Sequence, residues 1–264
     1  MRKLKLNELD STVKSSYRTM AIFEFFAEIK RPATVAEISD AVQIPQSSTS
    51  AIIKSLLETS FLSYDIENRT YEPTMRLAFL SDWSAHKNAN AAQVPSVLKK
   101  LGERIQETTV LALRNGIYSQ YIFVSPVDGV LGRHVETGSV RPLISSATGW
   151  SLLKDESDFE IGKLIRRTRH EIKDPLWQGQ TEDVLKNIAN AREKGYALSA
   201  GQFSDDVGGI AVNLPTVFGG ASLAIAAAGP KARILGREQE IADRLKTVAE
   251  EMPRRVTREI LGHR

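Results

Sequence analysis

Few side chains in this sequence are suited to covalent or metal chemistry. There is no cysteine, which excludes disulfides, thiolate zinc sites and thiol nucleophiles. The four histidines, at 86, 134, 170 and 263, lie too far apart to form the i, i+4 pair of a metal-binding helix. No GxSxG elbow, P-loop or dinucleotide fingerprint is present, so no catalytic or metal-binding residue is assigned. No acid stands at helical or hairpin spacing from His134, and Asp205-Asp206 beside Gly208-Gly209 has the character of a solvated loop. Trp150 and Trp177 read as packing residues. What remains is hydrogen-bonding chemistry. Gln46, Ser47, Ser48 and Ser50 crowd the start of one helical segment, with Ala51, Lys54 and Ser55 following in the next turns. Amides and hydroxyls offered from the first turn of a helix are groups that read base edges in a DNA major groove.

Those residues need a scaffold that turns them outward. From Ser15 to Ile29 apolar residues (Tyr17, Met20, Ala21, Phe25) recur at three- and four-residue steps, predicting a first helix that Lys30-Arg31-Pro32 ends. Thr34 to Glu37 reads as a capping box opening a short second helix, with Val35, Ile38, Ala41 and Val42 inward. Gln43-Ile44 is a tight connection, and Pro45 is placed as the first residue of a third helix running to about Thr59. At about 100° per residue, with Ile53 as the inward centre, Gln46, Thr49, Leu56 and Leu57 share the core side. Ser47, Ser48, Ala51, Lys54 and Ser55 fall on the opposite side. Phe61–Tyr64 and Arg69–Glu72, joined by Asp65–Asn68, form a short hairpin. Three helices followed by such a wing are the winged helix-turn-helix layout. Lys54, Arg69, Lys14 and Arg18 become candidate phosphate contacts, which position a protein without specifying sequence.

Pro73 is expected to open a fourth helix, Thr74 to about Ala85, and the unpatterned stretch Lys87–Gln93 is an interdomain boundary. A helix over 95–107 then leads into strands Thr109–Arg114, Ile117–Val124 and Val130–Glu136, turned at Asn115-Gly116 and Asp128-Gly129. Ser145–Lys154 and Phe159–Thr168 look helical, and Thr181–Lys194 is a helix stopped by Gly195. Strands follow at Tyr196–Ser199, Gly209–Leu214 and Ala221–Ala228, and a long charged helix from Arg237 to about Leu261 closes the chain. The last two strands are apolar throughout and demand burial on both faces. The alanine-rich final one, short of bulk, favours a cavity over a filled core. The fold class is α+β in three parts: a winged helix-turn-helix head (1–73), a linker helix and linker (74–93), and an antiparallel-sheet domain with helices (94–264).

The chain has 264 residues, 42% hydrophobic and 25% charged, an ordinary balance for a folded protein. Its net charge is only +3, and residues 1–75 hold nine Lys/Arg against ten Asp/Glu. No basic block marks a nucleic-acid binder, so that reading rests on architecture. Scarce arginine implies modest affinity per head and therefore a dimer on two half-sites. With no apolar run of about 18 residues and no apolar segment behind the basic start, we expect a cytoplasmic protein with no membrane partner.

At these residues the sequence resembles the isocitrate-lyase-regulator (IclR) family of bacterial transcription factors. Ala36-Glu37-Ile38 and Ile44-Pro45-Gln46-Ser47-Ser48 are similar to its "L-x-E-I-A … L-P-K-S-T" recognition region, and Arg69-Thr70-Tyr71 to its wing "G-R-Y". Pro142–Trp150 resembles "P-L-H-x-T-A-x-G-K", Gly195-Tyr196-Ala197 resembles "R-G-Y-A", and Gly229-Pro230 resembles the "S-G-P" ending a late strand. Order and spacing agree from about residue 12 to 250. The resemblance implies a DNA-binding head, a linker helix and a GAF-like domain that senses a small organic effector. It also implies homodimers or homotetramers that repress or activate transcription. Carried over, the effector site falls at Ala147, Thr148, Gly149, Ser199, Gly209, Ala226 and Ala228.

Departures from the family pattern sharpen the expectation. Ala51 stands where the family has an arginine, so no family operator transfers. Ser199, Gly209, Ala226 and Ala228 replace an acid, a cysteine and two serines, removing hydrogen-bonding groups and leaving volume. A two- or three-carbon keto acid would be poorly satisfied there. The implied effector is bulkier and more apolar, aromatic in one version, with a single polar end held by Ser199, Thr148 or nearby backbone N–H groups. No other cofactor is expected. The expected function is a ligand-responsive regulator, a repressor released by its effector, controlling a catabolic operon through a pseudo-palindromic operator in double-stranded DNA. A small-molecule-processing enzyme, or a domain serving dimerisation alone, are the alternatives for the second half.

Overall fold

The computed structural model describes residues 14–77, 80, 93–127, 135–172, 180–202, 204–214 and 222–262. The chain divides into two compact units, Leu6–His86 and Lys87–Arg264.

In the first unit three helices, α1 (Lys14–Ile29), α2 (Val35–Val42) and α3 (Gln46–Glu58), precede a two-stranded antiparallel wing, β1 (Leu62–Asp65) and β2 (Thr70–Pro73). Ile22 and Phe26 of α1, Ile38 of α2, and Ile53 and Leu56 of α3 meet Leu62 in one buried core. The helices are cut where local chemistry dictates. Thr34 caps α2 by accepting from the Glu37 N–H, while the Glu37 carboxylate accepts from the Thr34 N–H at 2.8 Å. These reciprocal bonds satisfy donors that a helix start otherwise leaves unpaired. Gln43 ends α2 in the left-handed conformation, φ 53°. Pro45 caps α3 from outside rather than serving as its first residue. Pro73 likewise closes β2 instead of opening the next helix, which is already helical at Arg76, Leu77 and Leu80. Residues 81–92 of the expected linker lie outside the described residues.

The second unit is built on a six-stranded, fully antiparallel sheet in the order β5-β4-β3-β8-β7-β6. The strands are β3 (Thr108–Asn115), β4 (Tyr118–Ser125), β5 (Val140–Pro142), β6 (Ala197–Ala200), β7 (Val207–Leu214) and β8 (Leu223–Pro230). Helix α4 (Val94–Ile105) and two C-terminal helices, α8 (Lys231–Gly236) and α9 (Glu238–Gly262), cover one face. Helices α5 (Ala147–Leu152), α6 (Asp158–Glu171) and α7 (Thr181–Lys194) cover the other. Strands β7 and β8 therefore send alternate side chains into two cores, as their unbroken apolar sequences require. Leu223, Ile225 and Ala227 pack under α4 and α9, whereas Ala224 and Ala226 face α5.

Two expected elements differ, and one short helix was not expected. The strand expected at Val130–Glu136 falls partly outside the described residues, and Val135 and Glu136 are not in a strand. The partner of β4 is instead β5, through Tyr118↔Pro142, Ser119↔Arg141 and Gln120↔Val140. Ser145–Lys154 is not one helix: Leu143–Ser145 is a single 3-10 turn, and Ser146 caps the short α5 by accepting from Gly149 N–H. The closing helix is preceded by the separate α8, with Arg237 between them donating to the Ile105 carbonyl at 2.8 Å.

Candidate functional site

In the head, the turn between α2 and α3 is fixed from beneath. The Ile44 carbonyl accepts from the Ser39 hydroxyl at 2.7 Å and from the Thr49 hydroxyl at 3.4 Å. Thr49, Ile53 and Leu56 are buried, so the rotation of α3 about its axis is set. Gln46, Ser47, Ser50, Ala51, Lys54 and Ser55 are exposed and Ser48 is half-buried. Gln46, placed on the core side by the helical wheel, is nonetheless exposed at the start of α3. The Ser55 hydroxyl donates to the Ala51 carbonyl at 3.2 Å, which leaves Ser47, Ser48 and Ser50 as the hydroxyls nearest the helix start. Lys54 is 79% exposed and stands 3.9 Å from Glu58 on the next turn. Arg69 and Lys14 are exposed and Arg18 half-buried. Glu37 is held at a pKa of about 2, first by the Thr34 N–H and then by Arg31, so the capping carboxylate stays ionised.

In the second unit, antiparallel register lines small residues up across the sheet. Ser199 pairs with Gly209, Gly209 with Ala228 and Ala228 with Thr108. Two residues along, Ala197, Ala211, Ala226 and Val110 form the next row on the same face. A sheet surface made of glycine, alanine and serine cannot fill the space beneath a helix. Under α5 it leaves a cavity of about 60 Å³, whose walls include Ala147, Thr148, Ser199, Gly209, Ala226 and Ala228. Six of the seven residues expected at the effector site are thereby brought together.

Gly149 is the exception: it does not line the cavity. It lies behind the wall, against the Leu143 backbone, where a side chain has no room. The Thr148 hydroxyl accepts from Ser119 at 2.8 Å and lies 3.4 Å from Ser146, so it belongs to a hydroxyl network within the protein. Sequence reasoning missed the polar end of the cavity: Tyr121, Arg141, Ser145 and Ser146. Arg141 is only 7% exposed. Its Nη1 donates to the Val140 carbonyl at 2.8 Å, and its guanidinium carbon lies 5.4 Å from the Tyr121 ring centroid. Burial pulls its pKa below the ordinary guanidinium value, and Tyr121 offsets part of that shift. The available signal was a lone arginine inside the apolar run Val140–Ile144.

Other candidates have structural roles or fall outside view. Trp150 is buried and donates its indole N–H to the Ile144 carbonyl at 2.9 Å, as a packing residue does. Asp205 and Asp206 are exposed in a loop, and His134 and Trp177 lie outside the described residues. Among the described residues no cluster of His, Asp or Glu could hold a metal ion, and no helix is long and apolar enough to cross a membrane.

A winged helix-turn-helix head with an outward hydroxyl face, followed by a sheet domain with an internal cavity, defines a ligand-sensing DNA-binding regulator. Family models agree in both halves: residues 17–65 match the IclR helix-turn-helix domain, and residues 85–254 match the bacterial transcriptional regulator IclR C-terminal domain. The chain belongs to the IclR family of transcriptional regulators, which are not enzymes. Among curated relatives it is 22% identical over 202 residues to the HTH-type transcriptional regulator XynR of Escherichia coli K12, covering 76% of this chain and 79% of that one. It is 23% identical to the transcriptional repressor AllR of the same strain, covering 82% and 80%. Its fold matches the IclR protein of Thermotoga maritima, with TM-score 0.61 and 19% identity over 91% of this chain and 98% of that one. It also matches an IclR homologue from Microbacterium hydrocarbonoxydans complexed with 4-hydroxybenzoate, with TM-score 0.56 and 17% identity over 90% and 97%.

Proposed function

We propose that this regulator is a repressor that binds a pseudo-palindromic operator as a dimer or tetramer in the cytoplasm and is released by a small organic effector seated under α5. The observation that carries the reading is the cavity itself, walled by small residues from three strands and capped by Ala147 and Thr148. The effector is largely apolar with one polar end, and an aromatic acid such as that bound by the Microbacterium homologue is of this kind. The cavity is not sealed: it opens partly to solvent, which gives a small organic molecule a way in. The head reads base edges through Gln46, Ser47, Ser48 and Ser50, while Lys54, Arg69, Lys14 and Arg18 position it on phosphates. Ala51 and Ser55 lie on the same face and allow close approach.

The effector acts only if it prefers one arrangement of paired heads over another, since equal affinity for both would shift nothing. Residues 74–93 are the segment through which that preference would pass. A thermal-shift screen of small organic compounds on the full chain tests the reading, because binding to the folded state alone raises the melting temperature. Stabilising compounds should also alter operator affinity in a gel shift. If compounds stabilise the protein and leave DNA affinity unchanged, the regulatory link fails. If none stabilises it, the domain serves dimerisation alone.

A further inference from the structure

The cavity under α5 lies on one face of the second unit's sheet, and the opposite face carries a separate opening. Helices α4 and α9 both pack over Leu223, Ile225 and Ala227 of β8, yet between them they leave a groove of about 250 Å³ that is open to solvent. Its floor is apolar: Leu101 and Met252 are buried, and Val97 and Val248 are half-buried. The lining runs from Val97 to Arg104 on α4 and from Arg244 to Met252 on α9. At about 1.5 Å of rise per residue the groove is roughly 10–12 Å long.

The rim carries mostly one sign of charge. Lys100, Arg104 and Arg244 stand there against a single carboxylate, that of Glu251. Lys100 and Arg104 lie one turn apart on the exposed side of α4, and neither side chain has an ion-pair or hydrogen-bond partner among the described residues. Like charges at that spacing repel and weaken a helix. Arg104 also complements the negative end of the α4 dipole, but Lys100 lies before the last turn and gains little there. Arg244 meets Glu240 only through Nε, at 3.4 Å, so its two Nη atoms remain for another acceptor.

An apolar floor beneath uncompensated cations fits a small amphipathic anion. Its body would take floor surface away from water, and its carboxylate would relieve the repulsion on α4 through charge-assisted hydrogen bonds. A protein helix is about 10–12 Å across with its side chains, so it would rest on the rim rather than enter. The described lining holds aliphatic side chains and no aromatic ring to stack on, which suits an extended chain.

We propose that the groove between α4 and α9 is a second ligand site, which takes a medium-chain aliphatic carboxylate with its chain on the apolar floor and its headgroup on Lys100 and Arg104. The site lies across the sheet from the cavity under α5 and stands or falls independently of the effector reading. Val94, the first residue of α4, follows segment 74–93 directly in the chain, so the ligand touches the helix that this segment enters.

Octanoate and its uncharged counterpart octanamide, titrated into the full chain by calorimetry, test the proposal. Hydrogen bonds to charged groups make a difference of roughly tenfold or more, so octanoate should bind at least about tenfold more tightly than octanamide, and less tightly as salt rises. The double variant Lys100→Gln, Arg104→Gln should lose that preference while melting at the temperature of the parent, since both side chains are exposed and unpaired. Gly209→Ala, which alters the cavity under α5, should bind octanoate as the parent does. Binding lost in Gly209→Ala and kept in the double variant would put the acid under α5, overturning the groove site and leaving the effector reading intact. Equal affinity for acid and amide in the parent, or no octanoate binding, would overturn it without any variant. Self-association that loosens in the double variant, measured by sedimentation, would assign the groove to a second copy of the chain instead.

Discussion

Two glycines near the cavity make opposite predictions when each receives a methyl group. Gly149 was expected in the effector site and lies outside it. A Cβ there would stand 2.5 Å from the Leu143 carbonyl carbon, and closer still to the neighbouring backbone atoms, where ordinary contact begins near 3.4 Å. The obstacle is backbone of the turn leading into α5, so α5 or the turn must move by more than an ångström. Overpacking of this kind costs about 3 kcal/mol at the upper end of its usual range. For a domain of this size each kcal/mol is worth roughly 2–4 °C, so Gly149→Ala should lower the melting temperature by about 6–12 °C. Gly209 sits in mid-strand, where an added Cβ meets only the Ala227 carbonyl oxygen at 3.5 Å, an ordinary contact. Gly209→Ala should fold, with stability within about 1 kcal/mol of the parent. Its methyl group would stand among the lining residues of the cavity and take up space that a ligand needs. Any compound that stabilises the parent by entering that cavity should therefore bind Gly209→Ala at least about tenfold more weakly. Thermal melts with and without ligand measure both effects. Equal melting temperatures for the two variants, or undiminished ligand binding by Gly209→Ala, would refute this account of the wall.

Three further predictions follow from named contacts. Arg233 donates from Nε and Nη2 to both oxygens of Glu107 at 2.8 Å, with the Glu107 side chain 0% exposed and that of Arg233 45% exposed. Arg233→Ala strands a buried carboxylate and should cost about 3–5 kcal/mol, whereas Glu107→Gln leaves a guanidinium free to reach water and should cost under about 2 kcal/mol; equal losses in urea melts would contradict the asymmetry. Glu37 has a folded pKa of about 2, below its usual 4.5, so its stabilisation of the head is complete above about pH 4.5 and is lost as pH falls toward 2. The difference in urea midpoint between the parent and Glu37→Gln should shrink across that window, and a constant difference would count against the capping role. On operator DNA, Ser47→Ala and Ser48→Ala should relax sequence preference, while Lys54→Ala weakens all sequences alike and reduces the salt slope by about one; uniform loss from all three in a gel-shift series would refute the assigned roles.

How much of this was legible in the sequence depended on the range of the interaction involved. The head is specified locally: Thr34 and Glu37 cap α2 across one turn, Gln43 and Pro45 punctuate it, and the four- and three-residue steps between Thr49, Ile53 and Leu56 set the outward face of α3. Gly149 was misplaced because its role depends on a close approach of Leu143, six residues earlier, which no pattern encodes. Strand β5 has three residues, too few for alternation to show, and its pairing with β4 is what aims Arg141 into the cavity. The start of the closing helix was legible, but the short α8 before it was not, and Arg237 between them reaches the Ile105 carbonyl, a contact across 132 positions of sequence. The floor of small residues was visible as composition in β8, and only the register showed Ser199, Gly209 and Ala228 to be one row.

The central claim is that occupancy of the hollow under α5 governs how the head holds DNA. It is tested most directly by operator affinity, measured by fluorescence anisotropy as a stabilising compound is titrated, in the parent and in Ala226→Leu. The added bulk faces the cavity wall, far in sequence from the reading helix. The account predicts that the compound shifts DNA affinity of the parent, and that Ala226→Leu binds the operator normally and ignores the compound. A compound that shifts both proteins equally, or that occupies the parent without altering DNA binding, would contradict it.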